Sequence, residues 1–301
     1  MADMRNYCAS LRSIRTLVLL GATALAVVAL TALSAGWARA QNLPRLGEDG
    51  LMPLSDELHI GEDVARSLYS EPDYIDDPQL SEYIDSIFQR LVDAGRSSGA
   101  IDPAMGRFVW RVLAGADTTV NAFSVPGGVF GLHLATLGMT DTPGEMASVL
   151  AHEISHVTQR HIARMEAKQK QFLPVTIGSM ILGAIVASKN SDVSSAVFMG
   201  GQGLAAQKQL SFSRDAEREA DRMGMQLLQY AGYRPAAFVE MFEKLQNANR
   251  LNGDDSYPYL RTHPLTTERI ADMRSRLPAG TSLALPAPDL RHLFMAARAR
   301  A

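Results

Sequence analysis

The sequence predicts an α+β fold: a helix-rich domain with a small antiparallel sheet beside a central helix. Three observations predict it. Apolar residues recur at helical spacing through residues 55–91, the period shortens to two between Phe108 and Leu134, and a strongly capped helix opens at Thr142. With 301 residues, 47% of them apolar, the chain is long enough to enclose one large core. Aromatics are only 7%, so Leu, Ile, Val, Ala and Met must fill most of that core. The formal charge of −3 gives no reason to expect nucleic acid as a partner.

Residues 1–40 read as a signal peptide. Arg5, Arg12 and Arg15 make a positive start, Thr16 to Leu33 is almost unbroken apolar sequence, and Ala38-Arg39-Ala40 offers small residues for cleavage before Gln41. An uncleaved membrane anchor is the alternative, because the run is near the ~18 residues of a spanning helix. Cys8, the only cysteine, lies in this segment, so a mature chain has no thiol and any metal must be held by His and carboxylates. That mature chain carries 25 basic and 31 acidic residues, which suits a soluble life beside anionic lipid.

Residues 41–54 form a Pro- and Gly-containing linker, and one large domain is expected over 55–280. Leu58, Val64 and Leu68 mark a first helix. Asp77-Pro78 opens a second, with Leu80, Ile84, Ile87, Phe88 and Leu91 on its apolar face. Residues 95–106 read as a loop. Strands are expected at Phe108–Leu113, Thr118–Val125 and Val129–Leu134, the last two joined by Pro126-Gly127-Gly128. Thr142, Pro143 and Glu145 form a capping-box start for a helix running to about Lys168. Residues 172–206 are apolar and rich in Gly, Ala and Ser. They are too interrupted by Pro174, Gly178 and Gly183 for a span, and are expected to form a lid or membrane-facing flap. Further helices are expected from Ser211 or Ser213 to Tyr230, from Ala236 to Asn249 and from Pro264 to Arg276, with a polar loop at 250–263 and a C-terminal tail at 281–301.

The chemistry sits on the capped helix. His152 and His156 are four residues apart and therefore project from one face, the spacing at which two imidazoles grip one ion. Glu153 stands beside them, placed to act on a water at that ion. Val149, Leu150, Ile154 and Val157 make the other faces apolar, and a buried helix should not carry two His and a Glu without a partner that satisfies them. A third ligand must come from elsewhere. His161 lies five residues past His156, about 140° around a continuous helix, and reads as solvated or as supporting a ligand from behind. Glu217 is the better ligand, with Asp221 four residues on along the same face to accept a hydrogen bond from a ligand histidine. Glu219 points about 200° away and reads as solvated.

Ala151-His152-Glu153-Ile154-Ser155-His156-Val157 followed by Glu217-Arg218-Glu219-Ala220-Asp221 resembles the CAAX prenyl protease / Oma-type HExxH superfamily, and most nearly its periplasmic, BepA-like branch. Val120-Asn121-Ala122-Phe123 with Pro126-Gly127-Gly128, Ser213-Arg214 and Arg261-Thr262-His263-Pro264 extend the resemblance over about residues 55–276. It implies a helix-rich, gluzincin-like zincin domain with one zinc ion per chain. The branch's helical-repeat domain is expected to be missing. The resemblance also implies an oxyanion-stabilising catalytic role for His263 or Arg269, or a latch in which His263 fills the open zinc position. Asn121, Ala122 and Phe123 are implied as the substrate-binding edge strand.

The sequence therefore reads as a zinc endopeptidase of the cell envelope, exported to the periplasm, with peripheral membrane association as a further expectation. Its expected partners are unfolded or misassembled envelope polypeptides. Two rivals remain: an envelope chaperone or adaptor whose zinc site is structural and closed by His263, and an integral-membrane protease with residues 172–187 in lipid.

Overall fold

The computed structural model describes residues 51–71, 73–170, 213–252, 257–282 and 286–301. The expected signal peptide, most of the expected linker and the expected flap at 172–206 lie outside the described residues. Helix α1 spans Leu54–Tyr69 and α2 spans Pro78–Ser98. Asp77 caps α2 by accepting the N–H groups of Gln79 and Leu80 at 3.0 and 3.2 Å. Gly99 ends it in the left-handed conformation, φ 76°. All five apolar residues predicted for this helix are buried.

The sheet has three strands, β1 (Arg111–Gly115), β2 (Ala122–Val125) and β3 (Val129–His133), in the order β1-β3-β2. Strands β2 and β3 form the predicted hairpin through Pro126-Gly127-Gly128, where both glycines have φ near +80°. Strand β1 pairs with β3 in parallel, so the sheet is mixed rather than wholly antiparallel. The hairpin places β3 between β2 and β1, and the connection from β1 to β2 passes over it. Strand β1 also starts later than its apolar pattern implies. Trp110 takes φ 44° and turns its indole N–H onto Met105 O at 3.0 Å, which breaks the extended run. Gly61 lets α1 close on the hairpin turn, since a Cβ there would lie 2.9 Å from Pro126 O.

Short helix α3 (Leu134–Met139) leads to α4 (Pro143–Thr158). Thr142 accepts the Glu145 N–H at 3.2 Å, and Glu145 Oε2 reaches back to the Asp141 N–H at 2.7 Å, one residue beyond the expected partner. Helix α4 does not run on to Lys168. It stops at Gln159, Arg160 takes φ 54°, and a separate helix, α5, covers 161–170. The break is held from outside the helix: Arg160 Nε donates to Glu57 Oε1 of α1 at 2.8 Å, and its Nη2 donates to Met52 O.

Helix α6 covers 213–230, α7 spans Ala236–Asn252, α8 Pro258–Thr262 and α9 Thr267–Ser275. The expected polar loop thus holds a turn of helix, and the last expected helix opens three residues late, capped by Thr266. The expected tail contains α10 (Leu290–Arg300), which packs on α2 and α3. Its only large apolar anchor is Met295, beside fully buried His292, so no apolar stripe announces it. His292 Nδ1 is 2.6 Å from Tyr83 Oη, and Nε2 is 3.1 Å from Thr140 Oγ1.

His292→Ala should lower unfolding free energy by about 1–3 kcal/mol, the cost of leaving the Tyr83 hydroxyl buried without a partner. A denaturant titration checks this; no shift in midpoint would mean that α10 does not dock. Burial holds the His292 pKa below 6.5. The unfolded chain therefore takes up a proton that the folded one refuses, and stability should fall as pH drops below 6.5. His292→Ala should flatten that slope.

Candidate active site

Helix α4 is buried on nearly every side, with His152 and Glu153 at 0% and 1% exposure. Helix α6 reaches it closely because residue 224 is Gly: a Cβ there would lie 3.1 Å from His152 N. That approach brings Glu217 to the two histidines. His152 Nε2 and His156 Nε2 are 3.0 Å apart. Glu217 Oε2 is 3.4 Å from the first, and Glu217 Oε1 is 3.5 Å from the second. His263, just past α8, joins them with Nδ1 3.0 Å from Glu217 Oε1 and 3.4 Å from His152 Nε2. Candidate ligand atoms of His152, His156, Glu217 and His263 all lie within 4.8 Å of one another.

These residues fit a metal ion. Imidazole and carboxylate ligands about 2.0–2.2 Å from a tetrahedral ion stand roughly 3.3–3.5 Å apart. Glu217 Oε2 and Glu153 Oε1 are buried and accept no hydrogen bond. A carboxylate oxygen in that condition is costly unless a cation satisfies it. Burial opposes ionisation of Glu217, but the imidazoles of His152 and His263 overcome it and hold its carboxyl well below the usual range. Burial likewise opposes charge on His152, yet Asp221 and Glu217 raise its pKa to about 9.

Behind the cluster, Asp221 Oδ1 lies 3.0 Å from His152 Nδ1, as its helical phase predicted. Arg269 is not aimed at the cleft, contrary to the oxyanion role expected of it. Its Nε and Nη2 donate to the two Asp221 oxygens at 2.7 Å, and Nη1 donates to Pro264 O at 2.8 Å. Nη1 also makes a 3.0 Å ion-pair contact with Glu217 Oε2, outside hydrogen-bonding geometry. Such a buried guanidinium fixes two carboxylates and the loop carrying His263.

A cleft of about 480 Å³ opens onto the cluster, lined by Asn121, Phe123, Ser124, Glu153, His156 and His263 among others. Strand β2 forms its edge, and no other described strand pairs with the outer side of β2. Ala122 is fully buried, main chain included, so it presents no exposed atom to the cleft. The Asn121 main chain is tied inward, its N–H to Thr136 Oγ1 at 2.9 Å and its O to the His133 N–H at 3.0 Å. A groove of similar size, about 490 Å³, runs along the far side of β1, away from these residues.

Sequence reasoning missed Ser124 and Arg164, read Glu219 as solvated, and offered support of a ligand from behind as one of two readings of His161. Ser124 Oγ donates to Glu153 Oε2 at 2.9 Å. His161 is buried with Nδ1 2.9 Å from His156 Nδ1, because the chain breaks at Arg160. Glu219, expected to be solvated, lies 3.2 Å from His161 Nε2 and receives Arg164 Nη1 at 2.8 Å. The hydrogen bond from His161 and the Arg164 charge hold its pKa at about 2. Ser124 directly follows the expected edge residues Asn121 to Phe123; nothing local announces the break at Arg160.

The family model described as peptidase family M48 matches residues 78–277. The beta-barrel assembly-enhancing protease of Escherichia coli (strain K12) is 34% identical over 239 residues, 79% of this chain and 47% of that protein. The protein of the same name from Yersinia pestis is 35% identical over 238 residues, 78% of this chain and 47% of its own. The mitochondrial metalloendopeptidase OMA1 of Saccharomyces cerevisiae is 27% identical over 236 residues, 75% of this chain and 65% of that protein. The chain spans about half the length of the beta-barrel assembly-enhancing proteases it matches.

Glu217→Ala should abolish tight binding of zinc by the purified protein, seen as a drop of more than tenfold in competition with a chromogenic chelator. Arg269→Met should lower affinity by about 10–100-fold by freeing the carboxylates it fixes. Unchanged affinity in both would place the metal elsewhere.

Proposed function

The chain belongs to peptidase family M48, and on that premise we propose that it is a zinc-dependent endopeptidase of the cell envelope that degrades misfolded or misassembled exported proteins. The observation that carries this reading is the convergence of His152, His156 and Glu217 beside a buried Glu153 oxygen that accepts no hydrogen bond, at an edge of β2 that pairs with no other described strand. His152 and His156 would hold zinc through Nε2 and Glu217 through its carboxylate. When bound, zinc polarises the scissile carbonyl and makes water a stronger nucleophile. Glu153 takes the proton of the attacking water and passes it to the leaving amine. Ser124 holds one oxygen of Glu153 and so leaves the other for that proton.

An unfolded substrate would lie along β2 as an added strand, using main-chain hydrogen bonds that demand no sequence. Phe123 and Ser124 would sit nearest the scissile bond. We assign residues 1–40 to a signal peptide and the site of action to the periplasm. Among the described residues, no helix is long and apolar enough to cross a membrane. The relatives named beta-barrel assembly-enhancing proteases are named for β-barrel assembly, and polypeptides failing in such assembly are proposed as substrates here.

A second reading has an observation of its own. His263 Nδ1 lies within the ligand cluster, and Nε2 is 3.5 Å from Glu153 Oε1. A zinc closed by four protein ligands is structural by the usual rule, which would suit an envelope chaperone or adaptor. The buried Glu153 favours the enzyme, since a structural site needs no base. His263 is then a latch that peptide displaces.

Glu153→Gln should retain zinc while cleavage of casein falls roughly 10²–10⁴-fold; near-normal turnover would remove Glu153 as the base. His263→Ala should raise casein cleavage if the residue is mainly a latch. A fall of about 10²–10³-fold with zinc retained would instead assign it to the oxyanion.

A further inference from the structure

The break after α4 places His161 where an unbroken helix could not. At 3.6 residues per turn, His161 would face about 140° away from His156. Arg160 reverses this by taking φ 54°, a conformation that side-chain-bearing residues rarely adopt, and buried Glu57 holds it there. The result is a line of groups leading away from the metal cluster. His156 Nε2 faces the cluster; His156 Nδ1 is 2.9 Å from His161 Nδ1; His161 Nε2 is 3.2 Å from Glu219 Oε2. Arg164 Nη1 holds the same Glu219 oxygen at 2.8 Å.

We propose that His161 and Glu219 are positioning residues that hold His156 in the one tautomer able to offer Nε2 to a metal. This inference rests on the metal site proposed above. The protons follow from the partners. An ionised carboxylate only accepts, so His161 carries its proton on Nε2. Its Nδ1 is then a lone pair, and the 2.9 Å contact needs the proton of His156 on Nδ1. His156 Nε2 is thereby left unprotonated toward His152 and Glu217. Without Glu219, His161 is free to carry its proton on Nδ1. His156 would then accept on Nδ1 and present an N–H to the cluster, which repels a cation.

The test uses metal-free protein and zinc ion alone, with affinity measured by chelator competition and His156 tautomer by ¹⁵N chemical shifts. Glu219→Ala and His161→Ala should each lower zinc affinity about 10–100-fold and shift His156 toward the Nε2–H form. His161→Gln, whose amide oxygen accepts from His156 while its NH₂ donates to Glu219, should restore most of the affinity. If the parent protein binds no zinc, the metal site itself fails. If the parent binds zinc and both Glu219→Ala and His161→Ala bind it within twofold of the parent, the positioning role is overturned. Should His161→Ala lose its fold by circular dichroism, Glu219→Ala at the half-buried position decides alone.

Discussion

His152 and Glu153 sit at the centre of a helix whose neighbours Val149, Leu150, Ala151 and Ile154 are fully enclosed. Polar groups in such a place destabilise the fold unless each finds a partner, and charged ones do so far more. The surrounding architecture supplies those partners. Asp221 backs His152, His161 backs His156, and Ser124 holds Glu153. Arg269 in turn neutralises Asp221 and Glu217. Each partner comes from a different element, so satisfying one helix ties α6, α9, β2 and the turn at Arg160 into a single arrangement. Glu153 Oε1 is left buried without a hydrogen bond, a condition that a cation at the cluster would relieve.

Close backbone approach makes this possible. Gly224 lets α6 reach His152, and Gly61 with Gly127 lets α1 close on the hairpin. The second contact also carries Glu57 to Arg160, so the hairpin that forms the cleft edge and the turn that re-aims His161 share one support. Strand β2 remains at the sheet edge because the hairpin inserts β3 between it and β1. The cleft therefore has a fixed floor of candidate metal ligands, and along one wall a strand whose outer edge pairs with no other described strand.

Local features of the sequence carried much of this. The four-residue interval between His152 and His156, the shared face of Glu217 and Asp221, and the capping residues Asp77 and Thr142 are set within a turn or two of helix. The structure places all of them accordingly. What local reading missed depends on distant contacts. The parallel pairing of β1 with β3, the left-handed Arg160 braced by Glu57 and the docking of α10 through His292 are long-range effects. Glu219 was misread for the same reason: its helical phase is as expected, but α5 comes round to meet it. Arg269 stands beside the cluster, and its direction is set by Asp221 and Pro264, which no spacing rule encodes.

Zinc-edge X-ray absorption on the zinc-loaded protein addresses the metal centre most directly. The account predicts one ion with imidazole scattering from His152 and His156 and an oxygen shell from Glu217, at about 2.0–2.2 Å. A third imidazole would mark the state latched by His263. An all-oxygen shell without imidazole scattering would contradict the account, because it would show that the histidines of α4 do not hold the ion.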